Sequence, residues 1–165
     1  MDRASVDTRP FAGFERLLAL RYLRARRREG FISVNGPLYT RRADGRFQLG
    51  FRVEQRHCKA MRICHGGMMA TFCDMLLPLS AHVLSDVGKR FLPTINLQID
   101  YLAASPLGAW VQGEAQVLRA TRSLVFMQGL VHADGNPVAR VSGIFKIGPP
   151  FDDALERKPF REPEP

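Results

Sequence analysis

The sequence predicts an α+β domain in which an antiparallel sheet curls around one central helix. The stretch from Gly66 to Ser85 is apolar on almost every face, so it should be a helix enclosed by other structure. Strand-like segments lie apart from it, with one hairpin before it and four strands after it. A length of 165 residues suits one domain and is too short for two. We expect that domain to span residues 1–150.

The segment before the central helix divides into a helix and a hairpin. Leucines recur at helical spacing after Phe14, with arginines between them, which predicts an amphipathic helix over about 11–29. The five arginines between positions 21 and 28 are interpreted as a solvated face of this helix. An Asp44-Gly45 turn and the apolar alternation from Phe47 to Val53 then predict a β-hairpin.

Four strands are expected after the central helix, at about 94–101, 109–118, 123–132 and 138–147. Short turns between them predict antiparallel pairing of neighbours in the sequence. In the first strand, apolar residues at 95, 97, 99 and 101 alternate with polar ones, so they should face the core. Residues 151–165 are charged and rich in proline, and we expect them to be a poorly ordered tail.

Charge and cysteine content limit the partners and the compartment. The net charge of +8 predicts an anionic partner, which could be nucleic acid, a membrane surface or a phosphorylated small molecule. The three cysteines form no C-x-x-C pair, which argues against a disulfide framework and favours a reducing compartment. No signal peptide is evident, and the apolar stretch contains Asp74 and Pro78, so we expect a cytoplasmic protein without a membrane span.

Asp74 is the most informative residue, because it is the only charged side chain between His65 and Asp86. Burying an unpaired carboxylate costs several kcal/mol, a cost that proteins tolerate mainly at functional sites. Taken alone, Asp74 fits a functional site and a structural role about equally, the structural role being a solvated stripe or an ion pair with a neighbouring arginine. The sequence His65-Gly66-Gly67 enters the helix directly, so free N–H groups at the helix start could bind a carbonyl oxygen. The alternative is that these glycines only form a tight turn.

The motif H-G-G-x-x-A-T-x-x-D at 65–74 resembles the signature of hotdog-fold acyl-CoA thioesterases, in the branch of 4-hydroxybenzoyl-CoA and phenylacetyl-CoA thioesterases. Segments 93–97, 106–108 and 134–139 resemble later family elements, so the likeness covers roughly 37–147. The resemblance implies the hotdog fold, with the N-terminal helix as an addition. It also implies hydrolysis of an acyl-CoA without metal or cofactor, by a homodimer or a dimer of dimers.

The same resemblance implies residue roles. The Gly66 N–H would polarise the thioester carbonyl, and His65 would help to position it. Asp74 would attack the carbonyl or activate a water, which Thr94 would orient. Substrate contacts are expected from Gly67, Met68, Lys59, Arg119 and Arg122, the last two toward the CoA phosphates. Lys59 stands where the family often has asparagine; a lysine offers no acceptor for a water but could stabilise an oxyanion.

Helix geometry adds an inference about assembly. Eight residues separate Gly66 from Asp74, which is about 12 Å along one helix. A base or nucleophile must approach within about 3–3.5 Å of the atom on which it acts. If both residues are catalytic, Gly66 of one protomer must therefore meet Asp74 of another across a two-fold interface.

Several alternatives stay open at this stage. A non-catalytic acyl-CoA sensor on the same fold is the main one, because Lys59 departs from the family pattern. A hydratase of this fold and nucleic-acid binding through the arginine-rich helix rank lower, since neither motif setting is present. Zinc binding by Cys58, Cys64 and the adjoining histidines is disfavoured by the wide C-x5-C spacing. Cys73 lacks a histidine partner for a nucleophilic role.

Overall fold

The computed structural model describes residues 12–16 and 31–151. In chain order the elements are β1 (Glu15–Arg16), α1 (Phe31–Asn35), β2 (Tyr39–Ala43), β3 (Arg46–Arg52), a 3₁₀ turn (Gln55–His57), α2 (Gly66–Leu84), β4 (Thr94–Tyr101), β5 (Trp110–Ala120), β6 (Leu124–Ala133) and β7 (Asn136–Lys146). The predicted hairpin, central helix and four later strands are therefore all present. The predicted tail from 152 onward lies outside the described residues.

The strands of the described residues form one antiparallel sheet in the order β1-β2-β3-β5-β6-β7-β4. This order corrects the prediction that neighbours in the sequence would always pair. β4 does not pair with β5; it pairs with β7, from Thr94 opposite Phe145 to Tyr101 opposite Ala139. β5 pairs instead with β3, which lets the two halves of the sheet enclose the helix that separates them in sequence.

The predicted N-terminal helix at about 11–29 lies mostly outside the described residues. Where the two overlap, residues 12–16 form a turn and strand β1, which pairs with the start of β2. Phe14, expected on the helix, is instead buried against Tyr39 and Trp110. This aromatic cluster packs the start of β2 against the start of β5.

Helix α2 packs its apolar side against the inner face of the curled sheet. Phe72, Cys73, Leu76 and Leu77 are fully buried there. Two strand glycines allow the close approach, because a Cβ at Gly113 would lie 2.5 Å from the side chain of Leu76 and one at Gly143 would lie 2.7 Å from that of Leu77. By length and hydropathy α2 could cross a membrane, but its contacts are those of a core helix. The α+β hotdog arrangement predicted from the sequence is confirmed.

The opposite side of α2 is not covered by the described residues. Gly67 is exposed, while Ala70, Thr71, Asp74 and Pro78 along the same face are half-exposed. The sequence predicted a helix enclosed on every side, and one chain encloses it on the sheet side only. The uncovered face is made of small and polar residues, so another surface can approach the helix closely.

Strand β4 borders that uncovered face and forms the edge of the sheet. Its alternation is interrupted by a bulge between Thr94 and Asn96, which turns Ile95 away from the core and leaves it 57% exposed. Leu97 and Ile99 pack against the core as predicted. Tyr101 was also expected in the core but is 56% exposed.

Candidate active site

Asp74 and Thr94 are brought together across twenty residues of sequence. The Thr94 hydroxyl donates a hydrogen bond of 2.6 Å to Asp74 Oδ1. Helix α2 presents Asp74 on its uncovered face, and the first residue of β4 supplies the threonine. Asp74 is half-buried and Thr94 exposed, so the carboxylate is held in place yet can be reached from outside. The sequence predicted that Asp74 would be buried, and in a single chain it is only partly buried.

The start of α2 leaves one backbone donor open. His65 caps the helix, and its Nδ1 accepts the Gly67 N–H at 2.9 Å. Within residues 12–16 and 31–151, the Gly66 N–H donates to no protein acceptor. Because the Gly67 amide is occupied by the cap, the donor available to a carbonyl is that of Gly66, as the resemblance implied. Gly67 was predicted to contact the substrate, but its N–H is already hydrogen-bonded to His65.

Tyr101 is a site residue that sequence reasoning missed. Its hydroxyl donates to the Gly66 carbonyl at 2.9 Å, which braces the first turn of α2 from the last residue of β4. The strict alternation of the strand placed Tyr101 with the core residues. Its polar hydroxyl at the end of the strand was the only signal against that placement.

Strand β4 thus joins both ends of the site. Its first residue is bonded to Asp74 and its last residue to Gly66. Both catalytic candidates lie on the same helix, and the eight residues between their positions correspond to about 12 Å along its axis. One carbonyl cannot contact both of them within a single chain.

Buried His57 is hydrogen-bonded to the residue that caps the start of α2. Its carbonyl accepts the His65 N–H at 2.7 Å, and its Nδ1 accepts the Glu54 N–H at 3.0 Å. The Nε2 atom has no partner in the described part of the chain. Burial above all, together with nearby Arg56, lowers the pKa of His57 below its usual 6.5. The ring is therefore neutral at pH 7, so the histidine that is hydrogen-bonded to the start of α2 carries no charge.

The two predicted substrate contacts nearest the motif lie in different environments. Lys59 is exposed in the turn of a short hairpin, where its N–H donates to the Ile63 carbonyl. That hairpin leads directly into His65, so Lys59 lies on the segment that precedes the open amide. Met68 is buried in the core, so an acyl group could contact it only by entering between helix and sheet.

Arg119 and Arg122 are exposed where β5 turns into β6. The sheet register brings this turn to the Asp74 end of the molecule. Ile147 N–H donates to the Ser123 carbonyl, and the Lys146 N–H to the Pro93 carbonyl, next to Thr94. Basic side chains and the carboxylate therefore share one end of the sheet.

Other candidate chemistries find less support in the structure. Cys73 is fully buried, and burial, with Asp74 adding to it, raises the pKa of this thiol to about 12. It is therefore protonated at neutral pH and unsuited to nucleophilic attack. Among the described residues, no three His, Cys, Asp or Glu side chains are grouped as metal ligands.

Comparison with known proteins identifies the fold. The family model described as the thioesterase superfamily matches residues 61–139. The structure of zebra fish Thioesterase Superfamily Member 2 is 25% identical, covers 77% of this chain and 93% of its own, and has a TM-score of 0.67. A hypothetical thioesterase of Streptococcus pneumoniae TIGR4, solved with coenzyme A, is 20% identical over 69% of this chain and 91% of its own, with a TM-score of 0.60.

A curated relative agrees with this result. A Pseudomonas aeruginosa protein named "Putative esterase PA0474" is 24% identical over 117 residues, which are 70% of this chain and 87% of that protein. The matched family segment contains the helix start, Asp74 and Thr94. The chain therefore has the hotdog fold of these structures, and its residues 61–139 match the thioesterase superfamily model.

Proposed function

We propose that the protein hydrolyses acyl-CoA thioesters at a site shared by two protomers, with Asp74 from one and the Gly66 N–H from the other. One observation carries this proposal. The two ends of edge strand β4 are hydrogen-bonded to the two catalytic candidates, Asp74 through Thr94 and Gly66 through Tyr101. The proposal therefore depends on how β4 of one protomer would pair with β4 of a second protomer.

Antiparallel pairing of β4 with the same strand of a second protomer would create a shared site. A two-fold axis perpendicular to β4 would make the two equivalent strands run in opposite directions. The Thr94 end of one strand then lies beside the Tyr101 end of the other. Asp74 is attached to the first end and Gly66 to the second, so the pairing brings each carboxylate toward the partner's open amide. It thereby removes the 12 Å separation that one helix imposes.

The surface of the β4 edge also favours a second copy. Within the described residues β4 pairs with β7 alone, so its other edge leaves backbone donors and acceptors unpaired. Ile95, Tyr101 and Leu102 are each more than half exposed there. A second chain would bury these apolar groups and cover the small-residue face of α2 in the same contact. Further pairing into a dimer of dimers stays a prediction.

The chemistry follows from the two groups. The thioester carbonyl oxygen accepts the Gly66 N–H at the positive end of α2, which stabilises the charge that develops on it. Asp74 attacks the carbonyl carbon or takes a proton from the attacking water. The Thr94 hydroxyl bonds one carboxylate oxygen and leaves the other to act. If Asp74 is the base, the water oxygen adds to the carbonyl carbon; if Asp74 is the nucleophile, it forms an acyl anhydride that a water then hydrolyses. In either case the C–S bond breaks, the CoA thiolate takes a proton, and the products are the free acid and CoA.

The basic residues at the Asp74 end suit the CoA portion of the substrate. Arg119 and Arg122 are both exposed at the β5–β6 turn, and guanidinium groups bind phosphates in a forked geometry. The similar Streptococcus pneumoniae structure is described with coenzyme A, which makes a CoA thioester the substrate class to test first. The CoA phosphates would then lie toward Arg119 and Arg122.

Release of free thiol from a panel of aliphatic and aromatic acyl-CoAs tests the activity. We expect turnover with at least one thioester and a loss of about 10³-fold or more in kcat for Asp74→Asn, which keeps the shape and removes the charge. An acyl-CoA that binds without turnover across the panel would refute hydrolysis. It would favour a binding module, the reading that the lysine at position 59 suggests.

Subunit mixing tests whether the site is shared. Asp74→Asn and Gly66→Pro each inactivate both sites of a homodimer. A mixed dimer restores one intact site of two, so equal mixing should recover about one quarter of wild-type activity. The matched control mixes Asp74→Asn with the double variant, in which no protomer retains the carboxylate, and should recover nothing. No recovery in dimers proven to be mixed would refute the shared site.

A further inference from the structure

The hairpin between the 3₁₀ turn and α2 places two cysteines opposite each other. Cys58 and Cys64 form an isolated antiparallel bridge. The Lys59 N–H donates to the Ile63 carbonyl at 3.0 Å, and the His65 N–H to the His57 carbonyl at 2.7 Å. These two bonds flank the cysteine pair on either side, so the cysteines occupy a non-hydrogen-bonded position of the ladder.

That position suits a disulfide. In a non-hydrogen-bonded antiparallel pair the Cα atoms are about 4.5 Å apart and both side chains leave the same face. Disulfides span Cα separations of about 4.4–6.8 Å. The usual Cα separation of such a pair therefore falls within the range that a disulfide spans. The five residues between the cysteines, a spacing that disfavours a zinc knuckle, form the closed end of this hairpin.

Both thiols are free and held only weakly. Cys58 Sγ lies 3.4 Å from the Glu54 carbonyl, and Cys64 Sγ lies 3.7 Å from the His65 carbonyl. Thiol hydrogen bonds are weak, so rotating the two side chains toward each other costs little free energy. Each cysteine is half-buried, so a small reagent can reach the pair, whereas Cys73 is closed off in the core.

We propose that Cys58 and Cys64 are a reversible dithiol–disulfide site that reacts with low-molecular-weight disulfides of the glutathione class. The thiolate of Cys58 attacks one sulfur of the small disulfide, breaks its S–S bond and releases one small thiol. The Cys64 sulfur then attacks the sulfur of Cys58 in the mixed disulfide and releases the second. Two protein S–H groups are oxidised, one small disulfide is reduced to two thiols, and no further reactant is needed.

The electrostatics assign the order of attack and its pH dependence. Burial, with Cys58 adding to it, raises the pKa of Cys64 to about 12. Burial raises the pKa of Cys58 as well, but nearby Arg62 opposes this effect. Cys58 is therefore the attacking thiol and Cys64 the resolving one. Because both are mostly protonated at neutral pH, the reaction should accelerate as pH rises.

Mass mapping of the full-length protein tests the site without reference to its enzymatic activity. The reduced chain is equilibrated with graded ratios of oxidised to reduced glutathione, quenched in acid and digested with trypsin. Cleavage after Lys59 and Arg62 separates the two cysteines, so an internal disulfide appears as two joined peptides. We expect this pair with a loss of two hydrogens, while Cys73 remains reduced.

Variants separate the proposed route from nonspecific oxidation. Cys64→Ser removes the resolving thiol, so Cys58 should stop as a mixed disulfide with glutathione. Cys73 lies in the same tryptic peptide as Cys64, so Cys73→Ser should still give the joined peptides, shifted only by the mass of the substitution. The proposal is overturned if wild-type protein accumulates only glutathione adducts, if the joined peptides come from different chains, or if no oxidation occurs in a large excess of oxidised glutathione.

Discussion

Replacing Gly66 with proline deletes one N–H group at a position that otherwise accepts proline. Gly66 is the first residue of α2, where proline is favoured because its fixed φ suits the helix and its missing N–H has no helical partner. His65 has φ −66° and ψ 138°, a conformation allowed before proline. The Gly66 N–H has no acceptor in the described part of the chain, so folding loses no hydrogen bond.

The expected effects on catalysis and stability have opposite signs. Removing one oxyanion donor lowers kcat by about 10²–10³, or ~3–4 kcal/mol of transition-state stabilisation. Proline in place of glycine restricts the unfolded chain and adds about 0.4–1 kcal/mol to the free energy of unfolding where it fits. Gly66→Pro should therefore melt at the same temperature as wild type or higher, while its activity nearly disappears.

Thiol-release kinetics and thermal melting of the same preparations provide the assay. Gly66→Ala is the matched control, because it keeps the N–H and its Cβ would lie 3.6 Å from the Tyr101 ring, an ordinary contact. We expect the alanine variant to stay within about fivefold of wild type in kcat, under 1 kcal/mol. A well-folded proline variant with a third or more of wild-type kcat would refute the oxyanion role. Equal losses in both variants would assign the effect to crowding.

Three further outcomes are expected. Thr94→Val removes the 2.6 Å hydrogen bond to Asp74, so kcat should fall about tenfold, or ~1.4 kcal/mol. Thr94→Ser keeps the hydroxyl and should retain activity. Equal kcat values for the valine and serine variants would exclude the positioning role. Tyr101→Phe removes the bond to the Gly66 carbonyl and should lower kcat roughly fivefold with little change in KM, which steady-state kinetics would contradict if KM alone rose. The pKa of His57 is lowered in the folded chain, so below pH 6.5 the unfolded chain binds the proton more readily and stability should decline as pH falls toward the native pKa. Urea melts from pH 7.5 to 5 should show a smaller decline in His57→Asn, and an unchanged decline would assign the effect to other groups.

The sequence by itself determined the central helix, the first hairpin, the four later strands and the central chemical motif. The unbroken apolar run predicted helix Gly66–Leu84, and alternation predicted strands whose ends differ from the observed ones by only a few residues. Local signals sufficed because helix and strand periods, turn residues and a lone acid in an apolar run are all read from neighbours in the chain. The same signals predicted the pairing of the first hairpin at Asp44-Gly45.

Tertiary structure decided how these pieces meet. β4 pairs with β7 and not with its sequence neighbour, a bulge turns Ile95 outward, and Tyr101 leaves the core to bind the Gly66 carbonyl. Each of these depends on which distant strand lies alongside, and short-range patterning contains no information on that choice. The occupation of the Gly67 amide by His65 likewise depends on the orientation of one side chain. Composition identified the acid and the glycines, and the curl of the sheet placed them at opposite ends of one edge strand.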